Sequence, residues 1–461
     1  MCERRRRRVA ARAVATTVCC LLGVGSGAAA RTSSDPVGPT LGGPAGLAGS
    51  AGGDAADRAS PAPAPLALDW CIERAVQRNP EIEEWIARSE AAHERILPAG
   101  ALEDPRLIYE ASNLPVADFD FESTPLSGHQ IGLRQKLPFP TLLATRRNAA
   151  REASEAVSFE LVDRRRRVAS AVERAWADLG FAQRAIDITD RNLELLHQLV
   201  RIAEARYAVG SGLQQDVLRV QVERTALVQE RLARVAEVER ATARLASLLD
   251  LPSATSFART TPLDDPAPVP AIDPLYPRAA ETNAKLRALR AEVESAELAV
   301  RTARLEGLPD VDVGVGYRVR RNVPGDPVEG DDFVSASVTI RLPVHRARWR
   351  AHEAERRALL RQTRARLRQH ELSLEERLHA AHAELVRSDR EAELLRTGLV
   401  PQAHQSLEAS RSAYEVGRIE LASLLDSQVR LLEAQLRAVR ARASRRTAFA
   451  RLEALVGEDL R

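Results

Sequence analysis

Two Tyr-x-x-Gly segments, Tyr207-Ala208-Val209-Gly210 and Tyr414-Glu415-Val416-Gly417, constrain this chain more than any other feature in it. Each closes a long helical pattern and opens a second, running to Leu249 in one case and to Val456 in the other. With Gly210 laid on Gly417 the register holds without a gap. Gln221 falls on Gln428, Ala243-Arg244-Leu245 on Ala450-Arg451-Leu452, and Leu248 on Leu455. Glycine at such a junction takes the left-handed C′ position of a helix. The expectation is a tight αα-hairpin present twice, and so a half-molecule present twice.

Aromatic residues are only 4% of the chain while charged residues are 28%, which suits long, thin amphipathic helices better than a bulky core. Nearly all the bases are Arg, Lys occurring only at Lys136 and Lys285, a bias we assign to codon usage. The formal net charge is +3, but residues 1–30 carry six Arg against one Glu. The remainder is therefore slightly acidic, which argues against a nucleic-acid binder.

Residues 1–30 read as a secretory signal peptide. Arg4 to Arg8 supply the charged region, Val9 to Val24 the apolar one, and Ala28-Ala29-Ala30 the cleavage site. Cys19 and Cys20 raise lipidation as an alternative, but Thr16-Thr17-Val18 lacks the preceding Leu and small-residue pattern. Removal of the signal leaves Cys71 alone, so no disulfide framework forms. No later segment reaches the apolar length of a transmembrane helix. Residues 31–65, rich in Gly, Ala, Pro and Ser, read as a disordered linker.

A helical segment at Leu66–Leu97, broken at Asn79-Pro80, has its counterpart at Pro274–Leu305, with Asn283 in the place of Asn79. Pro80 fits the first turn of a new helix. The period then changes to two. Leu107 and Tyr109, then Ile131, Leu133 and Leu137, alternate with polar residues. In the second half Val311, Val313, Val315, Tyr317 and Val319 alternate with Asp312, Gly314, Gly316, Arg318 and Arg320. Val334, Ala336, Val338, Ile340 and Leu342 then oppose Ser335, Ser337, Thr339 and Arg341. Strands of about 9–11 residues cross a bilayer when tilted. Two such hairpins at equivalent places in an exported chain favour a membrane role over a soluble amphipathic sheet. The residues expected to face lipid are Tyr109, Ile131, Leu133, Val313, Val315, Tyr317, Val338 and Ile340.

Each hairpin ends at a Pro corner, Leu137-Pro138-Phe139-Pro140 or Leu342-Pro343, and a very long helical pattern follows, Thr141–Val209 or Val344–Val416. Roughly 70 residues of continuous helix span roughly 100 Å. A globular domain has no use for that length; a conduit across the periplasm does. The return helices, Leu213–Leu249 and Ile419–Val456, are about half as long. Leu421, Leu425, Leu432, Leu436, Val439 and Ala443 give the second of them a coiled-coil-like seam. The organisation expected is signal peptide 1–30, linker 31–65, first repeat 66–251, inter-repeat linker 252–273, second repeat 274–457 and tail 458–461.

Over about residues 66–457 this organisation resembles the TolC-like outer membrane efflux proteins. The resemblance rests on the Asn79-Pro80 region, the Leu-Pro-Phe-Pro turn and both Tyr-x-x-Gly tips. It extends to Asp216-Val217-Leu218 and Leu424-Leu425-Asp426-Ser427-Gln428. The turn Gln135-Lys136-Leu137-Pro138-Phe139-Pro140 is most similar to the heavy-metal efflux branch. The resemblance implies a mainly α protomer with a small transmembrane β part, and a homotrimer joining a twelve-stranded barrel to a helical tunnel. It implies a location in the outer membrane of a Gram-negative bacterium, extending into the periplasm. The partners implied are a periplasmic adaptor (membrane fusion) protein and an inner-membrane pump.

The resemblance also implies roles for particular residues. The tips Val209-Gly210-Ser211 and Val416-Gly417-Arg418 are where an adaptor docks. Ser423 and Asp426 match a gate that narrows the periplasmic entrance, although Ser423 departs from the family's acid. Asp216 and Tyr414 match a latch that holds the entrance closed. Ile419 replaces an Arg of that latch, with Arg418 beside it.

No catalytic constellation stands out, and no cofactor is expected. Neither Lys lies in a Gly-rich loop, so there is no phosphate-binding P-loop. Gly314-x-Gly316 reads as small residues facing a lumen. His379 and His382 have a helical spacing, but no third metal ligand stands near them, and they read as solvated. Cys71 lacks a partner that would activate it. Arg164 to Arg167 read as a solvated helix face. The leading reading is a passive exit duct of a tripartite pump. The rivals are a periplasmic adaptor or other coiled-coil scaffold, which carries one long hairpin and no membrane strands, and a secreted enzyme.

Overall fold

In the computed structural model residues 62–460 are described, apart from 118, 122, 123 and 264–266. The signal segment 1–30 and the linker 31–65 up to residue 61 lie outside the described residues. The first repeat opens with α1 (Leu68–Arg78), α2 (Pro80–Glu94) and a single turn, α3 (Ile96–Gly100). Strands β1 (Arg106–Ser112) and β2 (Gly128–Leu137) follow, then α4 (Leu142–Ala208) and α5 (Gln214–Leu248). The second repeat runs α6 (Leu275–Thr282), α7 (Ala284–Glu306), β3 (Asp310–Val319), β4 (Phe333–Arg341), α8 (Arg346–Leu394), α9 (Val400–Glu415) and α10 (Leu421–Val456). The expected order of two short helices, two strands, a long helix and a return helix occurs twice, although the single turn α3 has no counterpart in the second repeat.

The first long helix is continuous over 67 residues, roughly 100 Å. The second corrects the expectation of an unbroken helix from Val344 to Val416. A π-helical turn, Leu395–Leu399, separates α8 from α9. Pro401 is the cause: it has no N–H to donate, and its ring crowds the carbonyl four residues back, that of Thr397. The extra residue of the π-turn absorbs the mismatch without ending the rod.

The repeats bury equivalent cores. In the first, Trp176, Leu179, Leu245 and Leu249 pack with Leu66, Leu68 and Cys71. In the second, Leu378, Leu385, Leu452 and Val456 pack with Leu275, Ala279 and Phe449. A third core near the tips joins the repeats through Leu196, Leu199, Val220, Leu407, Tyr414, Leu421 and Leu424.

The inter-repeat linker is a docked strap. Leu66 forms a parallel bridge with Thr260, and Trp176 Nε1 donates to the Leu66 carbonyl at 3.1 Å. The strap crosses α4 at Gly180, where a Cβ would come within 2.8 Å of Thr260 Oγ1 and 2.9 Å of Leu263 Cδ2. Arg184, one turn on, donates to the Thr260 hydroxyl and the Thr261 carbonyl, both at 2.9 Å.

Candidate functional site

The four strands form one antiparallel sheet in the order β1-β2-β3-β4. Residues opposite one another in register share a face. One cross-strand row is Leu107, Leu133, Val315 and Ala336; the next is Tyr109, Ile131, Tyr317 and Val334. Val313 with Val338, and Val311 with Ile340, continue the same face. It is apolar and uncovered in the single chain, Val338 being 68% exposed.

The opposite face is polar. Its rows include Arg106, Arg134, Gly314 and Ser337, then Lys136, Asp312 and Thr339. Arg318 donates to Gln130 Oε1 at 3.0 Å and to Ser112 Oγ at 3.1 Å. Ile108 and Phe333 are apolar exceptions on this face. Gly316 leaves room for a neighbour, since a Cβ there would lie 2.6 Å from Gln130 Nε2. Beyond β3, Arg320 and Asp326 form a buried ion pair at 2.5 Å that organises the connecting loop. Burial alone would raise the Asp326 carboxyl. The Val328 and Gly330 amides and the Arg320 guanidinium outweigh it and hold that carboxyl below its ordinary range.

At the far end of the long helices both tips are Schellman turns. Gly210 has φ +72° and Gly417 φ +75°. Gly210 N–H donates to Tyr207 O at 3.0 Å and Ser211 N–H to Arg206 O at 2.9 Å. Gly417 N–H and Arg418 N–H repeat this to Tyr414 O and Ala413 O, at 2.9 and 2.8 Å. These bonds satisfy the last carbonyls of each helix. Val209, Gly210, Ser211, Val416, Gly417 and Arg418 are all exposed, and Leu213 adds to the apolar surface of the first tip.

Tyr414 is 3% exposed and lies within the tip core. Its hydroxyl makes no hydrogen bond to Asp216. Burial raises the phenol's pKa, the nearby Asp216 charge adds to that rise, and Arg206 opposes it. The direct contact comes from Arg206. Its guanidinium lies 4.7 Å over the Tyr414 ring and donates to the Tyr414 carbonyl, and also reaches Ser211 O at 3.4 Å. One cation in the last turn of α4 thus joins both tips, where a helix C-terminus favours positive charge. Sequence reading passed over Arg206; its position one residue before Tyr207 was the available signal.

Ser423 and Asp426 are exposed and one helical turn apart near the start of α10. Asp426 Oδ2 lies 3.0 Å from Arg430 Nε, with both side chains mostly exposed. Such a surface pair contributes about 0–1 kcal/mol.

Three other sequence candidates have structural positions. Cys71 is fully buried, and burial pushes its thiol up to about 12. His382 Nε2 lies 2.9 Å from the Pro270 carbonyl, so it docks the strap and is not merely solvated as expected; His379 is exposed near the Tyr276 hydroxyl. The Arg164–Arg167 run is likewise more than a solvated face. Arg164 meets Glu81 at 3.1 Å, Arg166 donates to Thr282 O at 3.2 Å, and Arg167 pairs with Asp163 at 2.7 Å.

Residues 71–251 and 275–458 match the family model described as outer membrane efflux protein, one match to each repeat. No individual curated protein matches the chain in sequence. Among solved structures, the chain is similar to the outer-membrane channel OprN, with 19% identity and a TM-score of 0.73 over 85% of this chain and 90% of that one. It is similar to the outer membrane protein VceC of Vibrio cholerae, with 18% identity and a TM-score of 0.72 over 86% and 97% of the two chains. The Neisseria gonorrhoeae MtrE outer membrane channel in its open state gives 17% identity and a TM-score of 0.69 over 85% and 89%. The family match covers both repeats, which sets aside the adaptor reading with its single hairpin.

Proposed function

The chain belongs to the outer membrane efflux protein family, and from that premise we propose that it is the exit duct of a tripartite pump, working as a homotrimer. The observation that carries this is the two-faced sheet with free edges at β1 and β4. Exposed strand edges invite pairing with another chain. Four strands are too few to close a barrel on their own; three copies supply twelve, with the apolar face to lipid and the polar face to the pore. The helical rods below would form the periplasmic tunnel, which conducts passively while the pump supplies the work.

The tips are the surface offered to an adaptor protein, through Val209, Gly210 and Ser211 and through Val416, Gly417 and Arg418. Ser423 and Asp426 would border the narrow entrance. Asp216 and Tyr414 would hold it closed, with Arg206 supplying the direct contact. The duplicated order supports a domain division at 66–251 and 274–457, with 252–273 as the strap between the halves.

Purified protein incorporated into planar bilayers tests this reading, together with its migration on a detergent gel before and after heating. A heat-modifiable trimer with stepwise conductance is expected. Monomeric migration without heating, and no conductance, would overturn it.

A further inference from the structure

The face of α8 that continues the apolar side of the sheet is basic. Arg346, Arg350, Arg357, Arg361, Arg364 and Arg368 recur at steps of three and four or their sum, and so share one face. The side toward α7 carries the less exposed Trp349, Arg356, Leu360 and Leu367. Two cavities fix which way the Arg face points. A cavity of about 530 Å³ brings Lys136, Asp310 and Arg341 of the polar sheet face together with Arg348 and Glu355 of α8. Another, on the opposite side, brings Leu308 and Leu342 together with Arg346 and Arg350. Leu342 shares the two-residue period of Val338 and Ile340, so Arg346 and Arg350 lie directly below the apolar band.

Charge bookkeeping along the face separates its members. Arg357 pairs with Glu353 at 2.8 Å, Arg364 with Glu297 at 2.6 Å and Arg368 with Glu371 at 3.2 Å. The side chains of Arg346, Arg350 and Arg361 are exposed and meet no carboxylate among the described residues, but Arg361 stands about 17 Å further along the helix from the apolar band than Arg350. Arg350 is only about 6 Å along the helix from Arg346. Leu342 and Val344, just above, are 67% and 74% exposed. Counted from each Leu-Pro corner, the first repeat has Thr141 and Thr145 at the matching places, so each chain carries one such pair.

We propose that Arg346 and Arg350 bind the phosphates of anionic lipid headgroups in the leaflet that faces the helical rods. This inference rests on the membrane reading of the sheet. Guanidinium groups donate well to phosphate. An arginine beside an apolar band lays its stem on that band and its head at the lipid–water boundary. Negative headgroups attract basic side chains that stand within a Debye length of the surface. The continuity of exposed Leu342 and Val344 with the two guanidinium groups selects a lipid over a free anion, which would leave the apolar surface uncovered.

Native mass spectrometry of the detergent-solubilised protein tests the proposal, by comparing affinities for phosphatidylglycerol and phosphatidylcholine. The wild type should prefer the anionic lipid. Each guanidinium lost should lower that preference roughly fivefold, so Arg346→Gln with Arg350→Gln lowers it roughly twenty-five-fold. Arg348→Gln, on the opposite side of α8, should leave it unchanged. Millimolar inorganic phosphate should not displace the lipid; displacement would make the site a free-anion site and overturn the lipid assignment. An unchanged preference in a double variant that still migrates as a heat-modifiable trimer would also overturn it, leaving the channel reading intact. A wild-type protein that forms no such trimer would instead defeat the channel reading on which the proposal rests.

Discussion

The side-chain amide of Asn79 donates to the carbonyl of Leu248 at 3.0 Å, while its Oδ1 accepts from Glu81 N–H at 3.0 Å. One residue caps the start of α2 and closes the end of α5, 169 positions away in sequence. The second repeat does the same. Asn283 Nδ2 donates to Leu455 O at 2.8 Å and its Oδ1 accepts from Leu286 N–H at 3.0 Å. Asn79 and Asn283 are 6% and 4% exposed, so water cannot substitute for them. Replacing either by Ala should cost about 1–2 kcal/mol for the lost cap alone, plus a further penalty for the orphaned carbonyl. Aspartate keeps the cap acceptor but turns a charged oxygen toward the buried Leu455 carbonyl, so Asn283→Asp should not restore wild-type stability. Thermal unfolding of the purified protein measures this. Equal melting temperatures for wild type and Asn283→Ala would remove the Asn clamp from the account of the fold.

The two sheet faces should respond differently to charge. Val338→Arg places a guanidinium on the apolar face and should cost about 2–4 kcal/mol if that residue lies near the bilayer midplane. Ser337→Arg, one residue away on the polar face, should assemble. Ser337 is the cleaner comparison than Gly316, because a side chain at Gly316 would collide with Gln130 and Ser335 whatever the solvent. The readout is the yield of heat-resistant trimer in the membrane fraction. Similar losses for both variants would mean that neither face is in contact with lipid.

The duplicate tips were legible because a left-handed turn admits few residues besides Gly, and the strands because their period of two survives in the sequence. Pro401 was equally visible, but its consequence was not: a Pro in a rod can end it, kink it or be absorbed, and packing chooses among these. The partners of Asn79 and Arg206 were hidden for a different reason. Hydrogen bonds across 169 and 208 positions depend on which helices lie side by side. Nothing local encodes that. The strap at residues 252–273 looked like a plain linker because its contacts, such as Gly180 with Thr260, lie on another element.

At the tips, Arg206 should matter more than the Tyr414 hydroxyl. Arg206→Ala removes both the cation–π contact and the bond to the Tyr414 carbonyl, on the order of 1–2 kcal/mol. Tyr414→Phe keeps the ring and the carbonyl and loses only a hydroxyl that does not bond Asp216. If this contact holds the entrance closed, Arg206→Ala should raise single-channel conductance, Tyr414→Phe should change it little, and Asp216→Ala should have an intermediate effect. A larger gain from Tyr414→Phe than from Arg206→Ala would restore the hydroxyl–carboxylate latch as the operative one.

His370 should give the protein part of its acid sensitivity. Its pKa is lowered to about 4, first by burial and then by the positive charges of Arg377 on its own helix, Lys285 on α7 and Arg167 on α4, against a smaller opposing pull from Glu160. A base with a depressed pKa binds fewer protons folded than unfolded wherever the pH lies between the two values. Its contribution to stability is therefore complete above about pH 6.5 and is lost as the pH falls toward about 4. Below that no further loss comes from this residue. His370→Gln removes the proton from the folding equilibrium while keeping a polar side chain of similar reach. Carboxylates such as Asp163 also titrate in acid, so the informative quantity is the difference between wild type and variant at each pH. The melting temperature of wild type should fall relative to that of the variant between pH 6.5 and 4, and the difference should be constant from pH 7 to 8. Parallel curves across the whole range would show that His370 protonates as freely in the folded protein as in the unfolded chain, and that the cationic cluster around it has no effect on its charge.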